Sequence, residues 1–534
     1  MKKILAVIPA RAGSKGIPNK NIRLVNNKPL IYYSIKNALE SNLITEIVVS
    51  TDSPEIQIIA KQMGVKCKHR DKALCGDSVT LDEVIYDVSK DYDSDYIVTM
   101  QPTSPTLKRE TLDSAIRYCI ENELDSVISV INRPHLCWKE EKGKKVPDYE
   151  KRLNRQYLPA KYYETGAFVI SRTEIVKEHD RLGKNIDVYE VSEEEAIDVD
   201  TFEDLELVTN ALKQKKIAIY VNGNNKRGMG HIYRALELAD EFYTKPDIYY
   251  DINQTERKAF GETTHNLIAV NGLNELFLHL KEKKYNLMIN DILTTSIDYM
   301  IAIRNCLPDA KIVNFEDDGE GAYKADLVIN ALYHDSDIAH MKTGEKYYIA
   351  AKLFMFYQPI GIKKTVEKIF IGFGGADPQN YTDRLLDIIT KDNKYADKKF
   401  VVVLGRAKKN IDKLLEYNQF PNIEVLHDIN NMPEIMSSCD IGITSRGRTG
   451  YELAILGVPT IAMAQNKREE KHGFVCDENG FLYLGLNPSD YVIESALDMY
   501  IGLSKDEREK YQKILLSHDL KNGRQRVKGL IESL

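Results

Sequence analysis

Cysteine and tryptophan are scarce in this sequence. Its 534 residues include one Trp and seven Cys. The cysteines are scattered and odd in number, and no Cys-x-x-Cys pair occurs among them. Neither a disulfide framework nor a structural zinc site is therefore expected. Such cysteine usage suits a reducing cytosol best, so a cytoplasmic location is the expectation.

Long apolar runs and blocks of one charge are also missing. The basic start is followed by an apolar run, Ile4–Ile8, that is too short for a signal peptide, and no stretch has the length of a membrane span. The chain has 73 Lys and Arg against 80 Asp and Glu, a formal charge of −7, with no concentrated basic face. We therefore expect neither a nucleic acid nor a membrane as partner.

Short β-branched runs alternate with segments of helical periodicity along the whole chain. Three of these runs, Ile4–Ile8, Ile217–Val221 and Ile369–Phe373, lead into a glycine-bearing loop. The alternation predicts an α/β protein with mostly parallel sheets covered on both faces. The three restarts predict a first domain and then a pair of Rossmann-like subdomains, with the boundaries 1–212, 216–362 and 363–534.

The loop after the first strand carries glycines and cations close together. Gly13 and Gly16 let backbone N–H groups approach an anion closely. Arg11, Lys15 and Lys20 would neutralise the charge of a polyphosphate. The Gly-x4-Gly-Lys-Ser/Thr spacing of a P-loop is absent. On these residues alone, a solvated basic turn is the other interpretation.

This loop resembles the signature of the nonulosonic acid cytidylyltransferases, the CMP-sialic acid synthetase family. Four further stretches resemble that family in the same order: Arg70–Asp77, Gln101–Pro105, Arg155–Gln156 with Gly166–Ala167, and Ile197–Thr201. Asp71 stands where the family has proline, and Tyr163 and Thr165 depart from it on the sugar side. The resemblance covers about residues 1–212 and implies a Rossmann-like, GT-A-like nucleotidyltransferase domain.

The same resemblance implies that CTP and a nonulosonic acid react to a CMP ester and pyrophosphate, with Mg²⁺ as cofactor. A homodimer through this domain is expected. The implied catalytic residues are Arg11, Lys20 and Asp200. The implied CTP-binding residues are Arg11, Gly13, Ser14, Lys15, Asn21, Arg70 and Asp77. The implied sugar-acid-binding residues are Gln101, Arg155 and Gly166.

Asp198 and Asp200 are the predicted metal ligands. Carboxylate oxygens are hard ligands that suit Mg²⁺. Because the two residues are two positions apart, they would share one face of a strand. An isolated Asp-x-Asp is otherwise a polar turn, and the place of this pair in the ordered series of motifs favours the metal site.

The second glycine loop leads into Gly228-Met229-Gly230-His231. His231 is expected at the start of a helix, where the dipole disfavours a cationic imidazole, so it would be neutral and available as a base. A capping histidine without chemistry is the alternative. The third glycine of the dinucleotide fingerprint is missing, which disfavours NAD.

Motifs in the last third of the chain follow a recognisable order: Gly372–Pro378, Ser445–Glu452, Gly457–Pro459 and Gln465–Asn466. With the histidine loop, this order resembles the UDP-sugar hydrolases of pseudaminic acid biosynthesis, relatives of the GT-B glycosyltransferase of peptidoglycan synthesis. The resemblance covers about residues 216–534 and implies a GT-B-like pair of subdomains with His231 as catalytic base. The implied UDP-sugar-binding residues are Gly230, Gly375, Arg448, Thr449, Glu452 and Gln465. Typical hydrolases carry small residues where Arg448 stands.

The two resemblances together predict a bifunctional enzyme of nonulosonic acid assembly. The first domain would form the CMP ester, and the second half would hydrolyse a UDP-2,4-diacetamido-trideoxy sugar. Two alternatives remain for the second half: a module that binds a UDP-sugar without turnover or builds oligomers, and a glycosyltransferase that needs an acceptor. Release of free UDP distinguishes them.

Overall fold

The computed structural model describes residues 2–13, 16–223, 229–334, 336, 338–406, 408–429 and 431–534. The chain forms two compact units, Met1–Gln214 and Lys215–Leu534. None of the helices in the described ranges has both the length and the apolar character needed to cross a membrane.

The first unit contains one large sheet and two small hairpins. Its strands in the described ranges are β1 (Ile4–Pro9), β2 (Leu24–Val25), β3 (Lys28–Pro29), β4 (Glu46–Thr51), β5 (Lys66–His69), β6 (Tyr96–Met100), β7 (Ser126–Asn132), β8 (Trp138–Glu141), β9 (Lys144–Pro147), β10 (Tyr162–Arg172) and β11 (Ile186–Glu190). Its α-helices there are α1 (Leu30–Glu40), α2 (Pro54–Gln62), α3 (Leu81–Ser89), α4 (Arg109–Glu121) and α5 (Phe202–Ala211).

The seven strands of the large sheet lie in the order β11-β7-β10-β6-β1-β4-β5. Among these described strands, only β10 runs antiparallel to its neighbours. Side chains of a strand alternate between the two faces. Ile4, Ala6 and Ile8 of β1 therefore enter one core, and Leu5 and Val7 enter another. The sheet is buried on both faces, which explains the continuous apolar run in the sequence.

The second unit contains two parallel sheets, each the centre of one lobe. The first lobe has β12 (Ile217–Val221), β13 (Asp247–Asp251), β14 (Asn266–Val270), β15 (Leu287–Asp291), β16 (Lys311–Phe315), β17 (Leu327–Asn330) and β18 (Met341–Thr343). The second lobe has β19 (Lys368–Gly372), β20 (Lys399–Leu404), β21 (Ile423–His427), β22 (Ile441–Ser445), β23 (Thr460–Ala464) and β24 (Phe481–Leu486). The helices described in this unit are α6 (Gly230–Ala239), α7 (Leu273–Lys283), α8 (Ile297–Cys306), α9 (Tyr381–Thr390), α10 (Ile411–Leu415), α11 (Met432–Ser437), α12 (Arg448–Ile455), α13 (Asp490–Gly502), α14 (Lys505–Leu516) and α15 (Gly523–Glu532).

Both sheets of the second unit have the strand order of a doubly wound fold. The orders are β14-β13-β12-β15-β16-β17-β18 and β21-β20-β19-β22-β23-β24. Each order reverses beside the first strand of its lobe, and open parallel sheets bind ligands outside the strand ends at this reversal. The predicted fold class, a Rossmann-like domain followed by a GT-B-like pair of Rossmann-like subdomains, is confirmed.

The last helix of the chain packs on the first lobe. Val527 and Ile531 of α15 lie in the hydrophobic core around β12 and β15. Arg524 of the same helix pairs with Glu237 and Glu241, and its Nη1 lies 2.8 Å from Glu241 Oε1. The core of the first lobe is therefore built from residues at both ends of the second unit.

Candidate active sites

Predicted substrate-binding residues follow three parallel strands of the first unit: CTP-binding residues follow β1 and β5, and the sugar-acid-binding Gln101 follows β6. Arg11, after β1, donates from Nη1 to the Cys75 carbonyl oxygen at 3.0 Å and from Nη2 to Asp77 Oδ1 at 2.8 Å. Asn21 Nδ2 donates to the Arg11 carbonyl oxygen at 3.2 Å. The structure thus brings Arg11, Asn21 and Asp77 together.

Gly13 and Gly16 of this loop are required for different reasons, one for its backbone conformation and the other for a close contact. Gly13 has a φ of 73°, in the left-handed region that favours glycine. A Cβ on Gly16 would lie 2.6 Å from the carbonyl oxygen of Asp200, so only glycine permits this close approach. The predicted CTP-binding residues Ser14 and Lys15 lie outside the described residues.

Lys20 and Asp200, both predicted catalytic residues, form an ion pair. Lys20 Nζ lies 2.9 Å from Asp200 Oδ1, and the Asp200 side chain is 70% exposed. The Lys20 side chain is only 15% exposed, so the solvated partner is Asp200. An ion pair with one largely solvated partner contributes little free energy, and Lys20 can therefore exchange Asp200 for another negative charge at low cost.

Three predicted sugar-side and metal-side residues meet at Gly166. A Cβ on Gly166, whose φ is 72°, would lie 2.9 Å from Gln101 Nε2 and 3.3 Å from Asp198 Oδ2. Burial raises the pKa of Asp198, the Thr103 hydroxyl opposes that shift, and the nearby charge of Asp200 adds to it. Asp198 Oδ1 is buried and has no hydrogen-bond partner within the described residues. This orphaned oxygen has capacity for a cation or a donor.

Among the described residues, Asp198 and Asp200 do not lie on a strand. The prediction that their side chains share one face of a strand was therefore wrong. Residues 197–200 form an extended loop before α5. Val199 is buried, and its backbone N–H donates to the Thr103 carbonyl oxygen at 2.8 Å. A strand would need a ladder of backbone hydrogen bonds to a neighbour. The loop has instead this bond and a second one from the Asp200 N–H to Asp204 Oδ2 at 3.1 Å, and the Asp200 side chain stays exposed.

Two predicted arginines have other partners. Arg70 is buried, its Nη2 donates to the Ser50 carbonyl oxygen at 2.8 Å, and burial lowers its pKa. It therefore holds the end of β4 beside the nucleotide edge. Arg155 lies exposed in a 3₁₀ turn and pairs with Glu193 at 3.2 Å. Its described contacts do not join it to Gln101 or Gly166.

The donor set of the first unit fits Mg²⁺ only together with a nucleotide. Within the described residues, no group of three or more His, Cys, Asp or Glu side chains could hold a metal ion. Asp198, with its orphaned oxygen, and Asp200 supply two carboxylates. Phosphate oxygens and water are the ligands that usually complete magnesium coordination in such sites.

The cleft of the second unit lies where both of its sheets reverse their strand order. The cavity has a volume of about 570 Å³ and is lined by α6, the glycine loop after β19 and the start of α12. A Cβ on Gly230 would lie 2.7 Å from Arg448 Cδ, and one on Gly375 would lie 3.3 Å from Met229 Cγ. The two lobes therefore approach each other closely at glycines. The lining includes every predicted UDP-sugar residue: Gly230, Gly375, Arg448, Thr449, Glu452 and Gln465.

His231 also lines this cleft and is the second residue of α6, as expected. Its Nδ1 lies 2.5 Å from Asp291 Oδ1 and 3.1 Å from Arg234 Nη2. Burial lowers the pKa of His231, and the nearby Asp291 opposes that shift. Burial, rather than the helix dipole that the sequence suggested, is the main cause of the lowered pKa, and it favours the neutral imidazole.

Arg234 is held between two buried carboxylates. It donates from Nε to Asp291 Oδ2 at 2.7 Å, from Nη2 to Asp291 Oδ1 at 2.6 Å and from Nη1 to Glu316 Oε1 at 3.1 Å. Burial alone would raise the pKa of Asp291, but the attraction of Arg234 and His231 outweighs it and lowers that pKa to about 2. Burial raises the pKa of Glu316, with Arg234 opposing.

The predicted diphosphate-binding turn is present, but its arginine is engaged elsewhere. Arg448 Nη2 donates to the Ile349 carbonyl oxygen at 3.0 Å, and its guanidinium lies 4.9 Å from the centre of the Tyr348 ring. The first backbone N–H groups of α12 have no acceptor within the helix and can receive an anion. Burial raises the pKa of Glu452 to about 7, with Arg448 opposing.

Gln465 is buried, and both the oxygen and the nitrogen of its side-chain amide already have hydrogen-bond partners. Its Nε2 donates to Asp377 Oδ1 at 3.1 Å, and its Oε1 accepts from the Gln379 backbone N–H at 3.2 Å. Asp377 also accepts from Lys408 Nζ at 2.9 Å. Within the described contacts, Gln465 fixes the segment after the glycine loop of β19.

Sequence reasoning did not single out several side chains of the cleft. Asp291 is the last residue of β15 and Glu316 directly follows β16, so both lie at strand ends of the first lobe. The signal that could have found them is an acid at the end of a buried apolar run. His472 also lines the cleft; its Nδ1 lies 2.7 Å from the Arg446 carbonyl oxygen, and burial lowers its pKa to about 4.

The first unit is similar in sequence to known cytidylyltransferases. The cytidylyltransferase family model matches residues 5–227. The pseudaminic acid cytidylyltransferase of Campylobacter jejuni is 31% identical over 217 residues, which cover 38% of this chain and 94% of that protein. The chain belongs to the cytidylyltransferase family. The predicted family of the first half is thereby confirmed.

Two further relatives differ in how much of each chain they cover. N-acylneuraminate cytidylyltransferase A of Danio rerio is 34% identical over 207 residues, 37% of this cytidylyltransferase chain, which spans 48% of the length of that relative. The spore coat polysaccharide biosynthesis protein SpsG of Bacillus subtilis is 25% identical over 334 residues, 59% of this chain and 94% of that protein. The second match is longer than the first unit, so it extends over the second.

Proposed function

We propose that the first unit joins CTP to a nonulosonic acid of the sialic, legionaminic or pseudaminic type and releases pyrophosphate. The observation that supports this most is the meeting of Gln101, Gly166 and Asp198 at the strand edge that also carries Arg11 and Lys20. The names of the relatives, acylneuraminate and pseudaminic acid cytidylyltransferases, favour the same substrate class.

In this reaction the anomeric hydroxyl of the sugar acid attacks the α-phosphorus of CTP, and pyrophosphate leaves. Arg11 and Lys20 stabilise the negative charge that the phosphates carry in the transition state. Lys20 can turn to a phosphate because its present partner, Asp200, is largely solvated. Asp198 and Asp200 would hold Mg²⁺, which neutralises phosphate charge when bound.

The test is pyrophosphate release by the purified full chain with CTP and Mg²⁺, over a panel of nonulosonic acids. We expect release with at least one acid and none without it. The same assay with ATP, GTP and UTP tests the nucleotide. Absence of release with every acid of the panel would contradict the proposal.

We further propose that the second unit hydrolyses a UDP-linked diacetamido-trideoxy sugar. The observation that supports it is a buried His231, whose pKa is lowered by that burial, on the wall of a cleft whose opposite wall offers the N-terminus of α12. His231 accepts a proton from water as the water oxygen attacks the anomeric carbon, and the bond between that carbon and the UDP oxygen breaks. Glu452 faces the same cavity and would accept from the ribose hydroxyls.

The test is UDP release from UDP-2,4-diacetamido-trideoxy sugars with no acceptor present. We expect free UDP and one equivalent of reducing sugar. UDP release that appears only after a sugar acceptor is added would identify a glycosyltransferase instead.

A second candidate for this unit is a module that binds a UDP-sugar without turnover. The contacts of Arg448 with Ile349 and Tyr348 favour it, because they already engage the guanidinium that would otherwise be available to a diphosphate. Calorimetry with the UDP-sugar distinguishes the two: tight binding with no UDP released over hours identifies the binding module.

We also propose a homodimer formed through the first unit. Trp138 and Tyr157 are 60% and 68% exposed, and Tyr162 is 51% exposed. Large exposed aromatic side chains are typical of interaction surfaces. Light scattering on a fragment of residues 1–214 measures its mass, and we expect twice the mass of one fragment. A monomeric fragment would contradict this mode of assembly.

A further inference from the structure

Four titratable side chains form one closed network in the first lobe of the second unit. His231, Arg234, Asp291 and Glu316 are 8%, 3%, 1% and 2% exposed. Arg234 bonds to both carboxylates, and Asp291 bonds to both Arg234 and His231. These groups come from α6 and from the ends of β15 and β16. Burial on this scale is costly unless each charge is paired, so the arrangement of the network is fixed tightly.

The hydrogen bonds of Asp291 determine where the imidazole carries its proton. Asp291 accepts two hydrogen bonds from Arg234, which favour its ionised form. An ionised carboxylate has no proton to give. Two acceptor atoms without a proton between them would repel at the 2.5 Å that separates Asp291 Oδ1 from His231 Nδ1. The proton therefore lies on Nδ1, and Nδ1–H donates to Asp291.

The remaining nitrogen of His231 then carries the lone pair. In a neutral imidazole, protonation of Nδ1 leaves Nε2 as the acceptor. The His231 side chain lines the cavity, while its Nδ1 is used by Asp291 inside the lobe. The carboxylate of Asp291, bonded to Nδ1–H, stabilises the protonated imidazole that forms when Nε2 takes up a proton during the reaction.

We propose that Asp291, held in place by Arg234 and Glu316, is a positioning residue that fixes His231 as the Nδ1-protonated tautomer, with Nε2 available in the cleft. The role in turnover rests on the proposed hydrolysis of a UDP-sugar. The tautomer itself is a property of the free protein and can be measured without any substrate.

The experiment uses the full chain labelled with ¹⁵N-histidine. The chain has 11 histidines, and the spectrum of His231→Asn identifies the signals of His231 by their loss. Long-range ¹H–¹⁵N correlations then show which ring nitrogen carries the proton. We expect Nδ1–H in the wild type. In Asp291→Asn the charge is gone and Arg234 Nη2, 3.1 Å away, can donate to Nδ1, so we expect the proton on Nε2.

Asp317→Asn is the matched control. Asp317 is also buried at the strand ends of the first lobe, but it bonds to Thr295 and Asn314. This variant should keep the wild-type tautomer. For turnover, Asp291→Asn should lower kcat of UDP release by about 10²–10⁴-fold with KM changed less than about 3-fold.

The outcomes separate the tautomer from the hydrolysis. A wild-type His231 with the proton on Nε2, or an unchanged tautomer in folded Asp291→Asn, overturns the inference even if UDP is released. If Asp291→Asn does not fold, the wild-type spectrum still decides. If the wild type never releases UDP, the proposed hydrolysis fails, and the tautomer measurement alone then upholds or overturns the positioning by Asp291.

Discussion

The two candidate sites of this chain hold their charges in opposite ways. In the first unit, Lys20 pairs with an Asp200 that is 70% exposed, and Arg11 pairs with Asp77 near the surface. In the second unit, Arg234, Asp291 and Glu316 are all at most 3% exposed. Solvated pairs can be exchanged for the charges of a polyphosphate, whereas buried pairs hold one geometry. The first site is suited to bind a highly charged substrate, and the second is suited to orient a neutral base.

The largest expected effect tests the buried site. His231→Asn has no basic nitrogen, so kcat of UDP release should fall by about 10²–10⁴-fold, with little change in UDP affinity. CMP-ester formation should not change. Coupled assays for UDP and for pyrophosphate measure both activities on one preparation. His265→Asn is the control, because His265 pairs with Asp240 and is not among the residues that line the cleft. A normal rate of UDP release in His231→Asn would show that this histidine is a structural partner of Asp291 and not the catalytic base.

The next effect tests the solvated site. Asp200→Asn should lower CMP-ester formation by about 10²-fold, because a neutral amide binds Mg²⁺ poorly and no longer pairs with Lys20. Folding and UDP release should be unaffected, since the side chain is solvated. Pyrophosphate release at saturating Mg²⁺ is the measurement, and Glu203→Gln, on the exposed start of α5, is the control. Near-normal release in Asp200→Asn would remove this residue from the metal site.

A third effect concerns stability and pH in the second unit. Burial lowers the pKa of His472 from 6.5 to about 4, so the unfolded chain binds the proton more tightly than the folded one. Above pH 6.5 the His472 imidazole is neutral in both states and does not affect the free energy of unfolding. As the pH falls towards 4, protonation of the unfolded chain lowers the free energy of unfolding by up to about 3 kcal/mol.

Calorimetric unfolding between pH 7 and pH 4.5 measures this loss. The transition of the second unit should move to lower temperature as the pH falls, and His472→Gln should reduce the shift. His427→Gln, at an exposed position, is the control. Equal shifts in His472→Gln and the wild type would contradict the assignment.

The smallest effect sharpens the sugar side of the solvated site. In Gly166→Ala the new Cβ would lie 2.9 Å from Gln101 Nε2, so Gln101 must shift. We expect about a 10-fold higher KM for the sugar acid and an unchanged KM for CTP. Gly143→Ala is matched, because Gly143 has a similar φ of 76° and a Cβ there would meet no described atom within 4 Å. If both variants raise the KM equally, backbone strain rather than contact with Gln101 is responsible.

The secondary structure was largely predictable from local patterns. The predicted run Ile217–Val221 coincides with β12, and Ile4–Ile8 ends one residue before β1 does. Buried parallel strands are continuous apolar runs because both faces are covered, so their signal is local. The loop around Asp198 was not predictable, since its contacts come from distant parts of the chain: Val199 bonds to Thr103, 96 positions away, and Asp200 pairs with Lys20.

The candidate sites were predictable only where a motif carried them. His231 was found through its glycine loop, but Asp291 was not, although it ends a buried strand. Which strand ends meet depends on the strand order of the sheet, and β12 lies beside β15 rather than beside β14. That order is set by the packing of the whole lobe, which no short stretch of sequence contains.

The position of α15 sets an order for the folding of the second unit during synthesis. β12 leaves the ribosome about 300 residues before Val527 and Ile531, which complete the core around it. Until then, the apolar surface that these side chains cover stays open to solvent or to chaperones. The cytidylyltransferase unit, complete by Gln214, can fold long before this happens. The chain is thus expected to acquire its two cores at well-separated times.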